Sequence, residues 1–158
     1  MSRTLLIALL ALGASSGCGA TYIRNTTVED SSANRRVLQF CEKYRRALEN
    51  RNRTELLSMA STRYYEDGGT PTASDDYDYA GLREVLEERF QNVKQVRFDI
   101  RYRDISTERG AINVDFTYSA SFQMTTPLGD RWYRKVEDNR LVIKALPGGE
   151  GYRILSGM

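Results

Sequence analysis

The chain has 158 residues, of which 23 are basic and 21 acidic, so its formal net charge is only +2. The two signs are interleaved along the sequence and form no basic stripe, which argues against a nucleic-acid-binding protein. The sequence contains no histidine, and this removes the usual general base, the usual transition-metal ligand and any nucleophile–histidine pair. No thiolate cluster, glycine-rich phosphate loop or metal-ligand spacing is present either, so we predict no metal and no other cofactor.

The first 17 residues have the three parts of an export signal. A basic start at Arg3 precedes an uncharged stretch over residues 4–12, which is shorter than the roughly 20 residues that span a bilayer. The motif Ser-Ser-Gly-Cys at 15–18 resembles the lipobox of bacterial lipoproteins, although Ser15 stands where leucine is more common. The resemblance implies cleavage before Cys18 and attachment of lipid, including palmitate, to that cysteine. An ordinary secretory signal followed by a chance cysteine is the alternative interpretation.

The residue after the cysteine is Gly19 rather than aspartate. Aspartate at that position is similar to the inner-membrane retention signal of Gram-negative lipoproteins, so the resemblance implies an outer-membrane anchor facing the periplasm. Residues 18–34 are rich in Ser, Thr, Asn and Gly, and we expect them to form a flexible tether. The second cysteine, Cys41, is predicted to be a buried thiol on a helix, and a Cys18–Cys41 disulfide is the competing interpretation.

Residues 35–158 suffice for one domain with a single hydrophobic core. Apolar residues recur at three-and-four spacing in three segments, which predicts three helices. The first covers 35–50 with Asn34 as its cap, the second covers 54–60, and the third runs to Phe90 from a cap at Asp78. Strands follow the helices, so we expect the α+β class.

The segment 111–125 is predicted to be the central strand. Apolar residues occupy its even positions and polar residues its odd positions, so the strand has one buried and one solvated face. A strand of roughly 45 Å should bend, and we expect it to do so at a bulge and to wrap around other elements. The following strand changes its apolar register near Asp138 and Asn139, which predicts a further bulge there.

Three stretches carry a resemblance to a known superfamily: FCEKYRRALEN from Phe40, LLSMASTRYYED from Leu56 and GYRIL from Gly151. In this arrangement of three helices, a short strand and a curved antiparallel sheet, they resemble the NTF2-like superfamily, which includes SnoaL-like and ketosteroid-isomerase-like enzymes. The resemblance covers residues 35–158. It implies a cone in which three N-terminal helices close a curved sheet around a pocket, a pocket that different members use differently.

The ketosteroid-isomerase-like enzymes imply one possible catalytic set. Tyr44 matches their oxyanion-hole tyrosine, Asp67 matches the aspartate that abstracts a proton, and Asp138 lies near their second, protonated aspartate. Such a set would remove a proton next to a carbonyl group and stabilise the enolate. We favour the alternative, in which Tyr44 is a core residue, Asp67 caps a Gly-Gly loop and Asp138 belongs to the bulge.

Binding is therefore the predicted function, in a non-enzymatic, lipid-anchored envelope protein that holds a small ligand or an envelope partner. Arg134 is predicted to face inward, where an arginine needs an anionic partner. The polar outer face of the central strand predicts a monomer or a weak dimer. A pocket that reached both Asp67 and Tyr44 would favour the enzyme, and one that reached Arg134 but not Asp67 would favour binding. A filled cone would indicate the third possibility, a structural accessory subunit that acts through its surface. The residues expected to line the cone mouth are Tyr64, Tyr65, Tyr102, Tyr118, Trp132 and Arg134.

Overall fold

The computed structural model describes residues 20–69 and 71–158, and the predicted export signal and Cys18 lie outside them. Helices occupy the first half and long strands the second, so the α+β prediction is confirmed. No helix among the described residues is long and apolar enough to cross a membrane. The elements in chain order are α1 (Ser32–Glu49), α2 (Arg53–Met59), β1 (Tyr65–Glu66), β2 (Tyr77–Asp78), α3 (Tyr79–Gln91), β3 (Val93–Glu108), β4 (Ala111–Thr126), β5 (Gly129–Ala145), a 3-10 turn (Pro147–Gly149) and β6 (Tyr152–Ser156).

The main sheet has four antiparallel strands in the order β3-β4-β5-β6, and β1 and β2 form a separate small hairpin. A two-residue turn joins β3 to β4, with Arg109 and Gly110 at φ values of 50° and 80°. Two consecutive positive φ angles are typical of the turns whose twist suits a β-hairpin. The register of β4 with β5 runs without interruption from the pair Ile112–Ile143 to the pair Thr126–Gly129.

The two faces predicted for the central strand are confirmed in β4. Its apolar, even-numbered side chains from Ile112 to Met124 are all buried or half-buried, and Val114, Phe116 and Ala120 are buried. They face the helices, because the inner-face residues of β5 that pair with Val114 and Ile112, Leu141 and Ile143, are completely buried in the same core. Odd-numbered polar residues of β4 lie on the outer face of the sheet.

The bulge predicted at Asp138 and Asn139 is wrong, since β4 and β5 stay in register through both residues. The extra residues lie instead on β3, where the pairing with β4 skips Lys94 and Arg103. The change of apolar register along β5 has another cause. Near the start of β5, Trp132 and Val136 lie on the outer face, whereas Leu141 and Ile143 near its end lie in the core. The apolar residues therefore move from one face of the strand to the other without a bulge.

Helix α1 packs its apolar face on this core and buries Val37, Cys41 and Tyr44. The Cys41 thiol is free, as predicted for a buried cysteine acting as a small hydrophobic group. Burial raises the pKa of Cys41 to about 12, so the thiol is neutral and unreactive at physiological pH.

Side-chain caps begin the helices. The Asp78 carboxylate accepts hydrogen bonds from the backbone N–H groups of Ala80 and Gly81 at 2.9 and 3.0 Å, as predicted for the third helix. For α1 the predicted cap is wrong. The helix begins one turn earlier, because Ser31 caps it by accepting from the N–H of Asn34 at 3.1 Å.

The prediction of a flexible tether up to residue 34 is wrong for the described part of that segment. Tyr22 and Glu29 form a β-bridge around a turn, and Val28 is buried in the core. Thr27 fixes the turn to β3, since its hydroxyl donates to the carbonyl of Arg103 at 2.6 Å. Scattered apolar residues such as Ile23 and Val28, which both pack on the core, give no periodicity in a polar segment, so the sequence pattern missed this docking.

Candidate functional site

A cavity of about 870 Å³ lies between the helices and the inner face of the sheet. It occupies the half of the cone where β3 begins and β4 ends, beyond the packed core. Its apolar wall comes from α1, α3 and the sheet, and an aromatic stack of Phe98 on Tyr118, with ring centroids 5.0 Å apart, forms part of its floor. The apolar lining residues include Leu48, Leu86, Phe90, Val96, Phe98, Phe122 and Met124.

Tyr44 lines this cavity from α1 and is only 3% exposed. Its hydroxyl makes no hydrogen bond to any residue that the structure describes. Every fully buried side-chain oxygen among those residues does have a partner, so the Tyr44 oxygen is not fully buried. The hydroxyl therefore opens into the cavity. Burial raises the pKa of the Tyr44 phenol well above its usual value, so the group stays protonated and can donate to a ligand.

Glu66 is the carboxylate that reaches into the structure from the short hairpin. It is half-buried and lines the cavity, and one oxygen accepts from the Tyr64 hydroxyl at 2.9 Å and from the Gly157 N–H at 2.6 Å. The second carboxylate oxygen carries no hydrogen bond from the described residues. Sequence reasoning placed the functional acid one residue later, because a strand of two residues is too short to show which side chain points inward.

Gly157 and Met158 form the cavity wall between α3 and β5. A side chain at Gly157 would be sterically excluded, because its Cβ would lie 2.0 Å from the carbonyl oxygen of Arg140 and the φ angle is +93°. The Met158 carbonyl accepts from the Arg89 guanidinium at 3.1 Å and from the Tyr77 hydroxyl at 3.3 Å. Arg89 also donates to the Tyr77 hydroxyl at 3.4 Å, so the guanidinium, which lines the cavity, is held by Met158 and by Tyr77.

The opposite wall carries a polar cluster on the inner face of β5. Lys135 and Glu137 form an ion pair at 2.8 Å, and the Tyr118 hydroxyl donates to the same Glu137 oxygen at 2.8 Å. The Lys135 hydrogen bond, followed by that from Tyr118, lowers the pKa of Glu137 below its usual range, and the same ion pair raises the pKa of Lys135. Both groups are therefore charged at neutral pH and present a polar edge to the cavity.

The enzyme set implied by the resemblance is assembled only in part. The cavity reaches both Tyr44 and Asp67, which is the arrangement expected to favour the enzyme. The Asp67 side chain is exposed, however, and accepts from the N–H of Gly69 at 3.2 Å, as a cap of the Gly-Gly loop does.

Asp138 does not complete the set. Asp138 borders the cavity, but its carboxylate is turned to the outer face, where it accepts from the Thr117 hydroxyl at 2.6 Å and pairs with Arg103 at 2.7 Å. The Thr117 hydrogen bond and the Arg103 ion pair lower the pKa of Asp138. An ionised carboxylate is the opposite of the neutral acid that this chemistry requires.

Among the described residues, Tyr118 is the one member of the predicted ligand-binding group that lines the cavity. Tyr64 is buried and donates to Glu66, and Tyr102 is buried and donates to Glu42 at 3.1 Å. Burial raises the pKa of both phenols, so both act as core hydrogen-bond donors. The exposed Tyr65 donates to Asp76 at 2.5 Å, away from the cavity wall.

Trp132 and Arg134 lie on the outer face, so the prediction that they face inward is wrong. Each pairs with an odd-numbered residue of β4, Gln123 and Ser121 respectively, and paired residues share a face. Arg97 on the outer face of β3 stacks over the Trp132 ring at 5.1 Å. The prediction failed because it took the register of Trp132 for the inner face.

Sequence comparison and structural comparison give different results for this chain. No family model matches it, and no curated protein does either. Among solved structures, an NTF2-like superfamily protein from Salmonella enterica has a TM-score of 0.63 at 9% identity, over 80% of this chain and 90% of that one. The chain has the NTF2-like fold.

Two further structures share the NTF2-like fold of this domain. A ketosteroid isomerase-like protein from Erwinia carotovora matches with a TM-score of 0.63 at 11% identity, covering 81% of this chain and 95% of the other. A conserved protein from Planctomyces limnophilus matches with a TM-score of 0.65 at 11% identity, covering 80% and 93%. The resemblance predicted from the sequence is thus confirmed for the fold, while the low identity carries over no catalytic residue.

Among the described residues, no group of three or more histidine, cysteine, aspartate or glutamate side chains comes close enough to hold an ion.

Four residues that line the cavity were not predicted from the sequence, namely Glu66, Arg89, Lys135 and Glu137. For the two on β5 a signal was present, since charged residues at inner-face positions of a strand are unusual in a filled core.

Proposed function

We propose that this chain is a lipid-anchored protein of the bacterial cell envelope whose NTF2-like domain binds a small, largely apolar ligand in the cone. The observation that carries the proposal is the hydroxyl of the buried residue Tyr44, which opens into a cavity of about 870 Å³ without a partner among the described residues. Ligand pockets of roughly 300–1,000 Å³ with apolar walls and a few fixed polar groups are typical of small-molecule sites. An unpartnered buried hydroxyl is costly unless a ligand or water satisfies it.

The chemistry of the cavity indicates which parts of a ligand it would bind. The floor of Phe98, Phe122 and Met124 suits an apolar, preferably flat body. Tyr44 supplies a donor at the deep end, and Lys135 and Glu137 supply a charged pair at the rim. A ligand with one hydrogen-bond acceptor on an apolar skeleton matches this arrangement.

Two variants on neighbouring residues of β4 test the cavity. Ala120 faces the cavity and Ser121 faces outward, so Ala120→Trp fills the space while Ser121→Trp adds the same side chain outside it. The probe is Nile red, a flat, neutral fluorophore with one carbonyl acceptor. We expect saturable, blue-shifted binding to the native chain and to Ser121→Trp, and its loss in Ala120→Trp.

Circular dichroism and thermal unfolding would show whether both tryptophan variants keep the fold. Equal Nile red binding by a folded Ala120→Trp variant would overturn the proposal that the cavity is the binding site. If the cavity does bind Nile red, organic extraction of the protein purified from its own envelope, followed by mass spectrometry, would identify the natural ligand. A protein partner recovered without any small molecule would favour the other form of the proposal, an envelope protein partner.

The anchor is tested separately from the cavity. We propose that lipid on Cys18 holds the domain at the outer membrane, facing the periplasm. Cys18→Ala should move the protein from the membrane fraction to the soluble fraction, and globomycin should cause the uncleaved precursor of the native chain to accumulate. Membrane attachment that survives Cys18→Ala would contradict the anchor and leave the cavity proposal standing.

A second candidate function is a proton transfer next to a carbonyl group, in the manner of ketosteroid-isomerase-like enzymes. It is favoured by one observation, that Tyr44 and Asp67 line the same cavity. In this reaction a carboxylate would take a proton from the carbon beside a ketone, Tyr44 would donate to the enolate oxygen, and the proton would return to a more distant carbon. The outward position of Asp138 and the exposure of Asp67 favour binding without reaction.

A steroid ketone with an unconjugated double bond tests this second candidate. Migration of the double bond into conjugation produces ultraviolet absorbance without any cofactor. If the chain is this kind of enzyme, turnover should fall at least about a hundredfold in Asp67→Asn, as for loss of a general base. No turnover above the Asp67→Asn level in the native chain would leave binding as the function.

A further inference from the structure

The two edges of the main sheet differ in how many of their backbone groups are hydrogen-bonded. Along β3, side chains from the helical layer bond to the backbone that faces away from β4. Glu49 accepts from the Phe98 N–H at 3.0 Å, and Arg45 donates to the Phe98 carbonyl at 3.2 Å. Thr27 donates from its own N–H to the Tyr102 carbonyl at 3.4 Å. This edge is therefore closed to another strand along much of its length.

The opposite edge, along the first part of β5, is open. Strand β6 pairs only with residues 142–145 of β5, and no described strand lies beside the part from Gly129 to Asn139. The backbone of Arg140 points to this edge, since its N–H donates to the Asn139 side chain at 2.8 Å and its carbonyl faces Gly157. The direction of the backbone N–H and C=O groups alternates along a strand, so those of the even-numbered residues from Asp130 to Asp138 point toward the open edge. None of these groups has a hydrogen bond to the described residues.

Exposed apolar side chains gather on this open edge. Trp132 and Val136 are 47% and 55% exposed on the outer face, and Tyr133 is 44% exposed on the inner face. A long edge strand with such side chains is the kind of structure that pairs with another chain. We refer to residues 129–138 as the β5 edge.

We propose that the β5 edge pairs antiparallel with the β5 edge of a second copy, about a two-fold axis at Arg134, so that two four-stranded sheets join into one. The register follows from the sequence of the edge itself. Centred on Arg134, Trp132 of each copy lies opposite Val136 of the other, and Arg131 lies opposite Glu137. Each favourable pair occurs twice, as an isologous interface requires.

Like charges weaken this pairing and set its strength. Arg134 meets itself at the axis, and Asp130 lies opposite Asp138, which is unfavourable for charges directly across a sheet. Both aspartates are already neutralised within one copy, by Lys94 at 2.8 Å and by Arg103 at 2.7 Å. The arginine repulsion remains, so we infer a weak, reversible dimer that becomes tighter when the Arg134 charge is removed.

The proposed dimer also bears on the cavity. Tyr133 and Lys135 lie on the inner face of the same edge, and Lys135 lines the cavity. In the proposed register, Tyr133 of one copy lies opposite Lys135 of the other, so each copy would place an aromatic ring beside the rim of its neighbour's cavity. The inference does not depend on the identity of the ligand.

Proline and alanine substitutions at Arg134 test the interface. Arg134→Pro removes one edge N–H and is compatible with a strand whose N–H points away from its neighbour. Arg134→Ala keeps the N–H and removes the charge. With the mature chain carrying Cys18→Ser, sedimentation velocity should show a concentration-dependent dimer, weakened at least about tenfold in Arg134→Pro and tightened in Arg134→Ala.

A cysteine pair provides the geometric test. Arg134→Cys would set two thiols opposite each other, at a Cα separation of about 5.5 Å that a disulfide accepts. Arg101→Cys, exposed on the outer face of β3, is the matched control, and Cys41 is buried and silent. We expect an oxidised dimer from Arg134→Cys alone. Equal cross-linking of both variants, a native chain that stays monomeric, or a dimer unaffected by Arg134→Pro would each overturn the proposal.

Discussion

The two halves of β4 have the same alternating sequence and opposite surroundings. Over residues 112–116 the inner side chains Val114 and Phe116 are buried in the hydrophobic core, and Ile112 packs against it. Over residues 118–124 the inner side chains Tyr118, Phe122 and Met124 are only half-buried and face the cavity. Alternation in a sequence therefore shows which face of a strand is the inner one, but not whether that face borders a packed core or a cavity.

The two halves also differ in the residues that β5 places on its inner face. In the packed half the inner residues of β5 are the fully buried Leu141 and Ile143, together with the half-buried Asn139 opposite Phe116. In the cavity half they are Tyr133, Lys135 and Glu137, which pair with Phe122, Ala120 and Tyr118. Charged side chains cannot remain in a filled apolar core without a large desolvation cost. Their position on the inner face thus marks the half of the cone that stays open.

The largest expected effect contrasts a phenylalanine from each half. Phe116→Ala should lower the free energy of unfolding by about 3–5 kcal/mol, because the buried ring leaves a void in a packed core. Phe122→Ala should cost only about 1–2 kcal/mol, because its ring already borders empty space. Urea unfolding followed by circular dichroism measures both. Equal losses would show that the two halves are packed alike.

The next effect concerns the carboxylate that ties the hairpin to the cavity wall. Glu66→Ala should cost about 1–3 kcal/mol, because it leaves the Tyr64 hydroxyl and the Gly157 N–H without their acceptor. Glu66→Gln keeps an acceptor oxygen in place and should recover most of the loss. The two variants compared by urea unfolding separate the hydrogen bonds from the charge. A Gln variant as unstable as the Ala variant would mean that the negative charge itself is required.

A smaller effect is expected at the deep end of the cavity. Tyr44→Phe should weaken Nile red binding about three- to tenfold, the free energy of one neutral hydrogen bond to its carbonyl group. Stability should change little, since the Tyr44 hydroxyl has no partner among the described residues to lose. Fluorescence titration measures the affinity. Tyr102→Phe is the control, because its hydroxyl bonds to Glu42 away from the cavity and its removal should leave Nile red affinity unchanged.

The smallest effect is a pH dependence on the outer face of the packed half. Arg140 donates two hydrogen bonds to Asp115, at 2.7 and 2.9 Å, and these lower the pKa of that carboxyl in the folded state. A lowered folded pKa stabilises the fold above the unfolded value of about 3.9, and the contribution is lost as pH falls through the folded value. Asp115→Asn should therefore flatten the acid limb of stability measured by urea unfolding at several pH values. An unchanged limb would show that solvent screens the pair completely.

Local sequence patterns predicted the main helices and strands of the fold, which we call its frame. The alternation of β4, the Asp78 cap and the burial of Cys41 each depend on neighbours along the chain or on a single periodicity, and each is confirmed. The inward placement of Arg134 was wrong because the start of β5 has apolar side chains on both faces. Its inner face is defined only by pairing with β4, which no single-strand pattern contains.

The site was less predictable than the frame, because its wall comes from distant parts of the chain. Met158 reaches Arg89 and Tyr64 across more than sixty residues of sequence. The docking of Val28 likewise depends on a contact between Thr27 and β3. Tyr44 was found through the superfamily resemblance, while the cavity that gives its hydroxyl a role could be seen only in three dimensions.

The turn at Tyr22–Glu29 has a consequence for how far the protein can stand from a bilayer. Because the folded part begins at Tyr22, three residues separate it from Cys18, a span of about 14 Å even when fully extended. That span is close to the radius of gyration expected for a domain of this size, about 14 Å. If Cys18 carries lipid, as proposed, this short span would hold the domain against the headgroup layer of the bilayer.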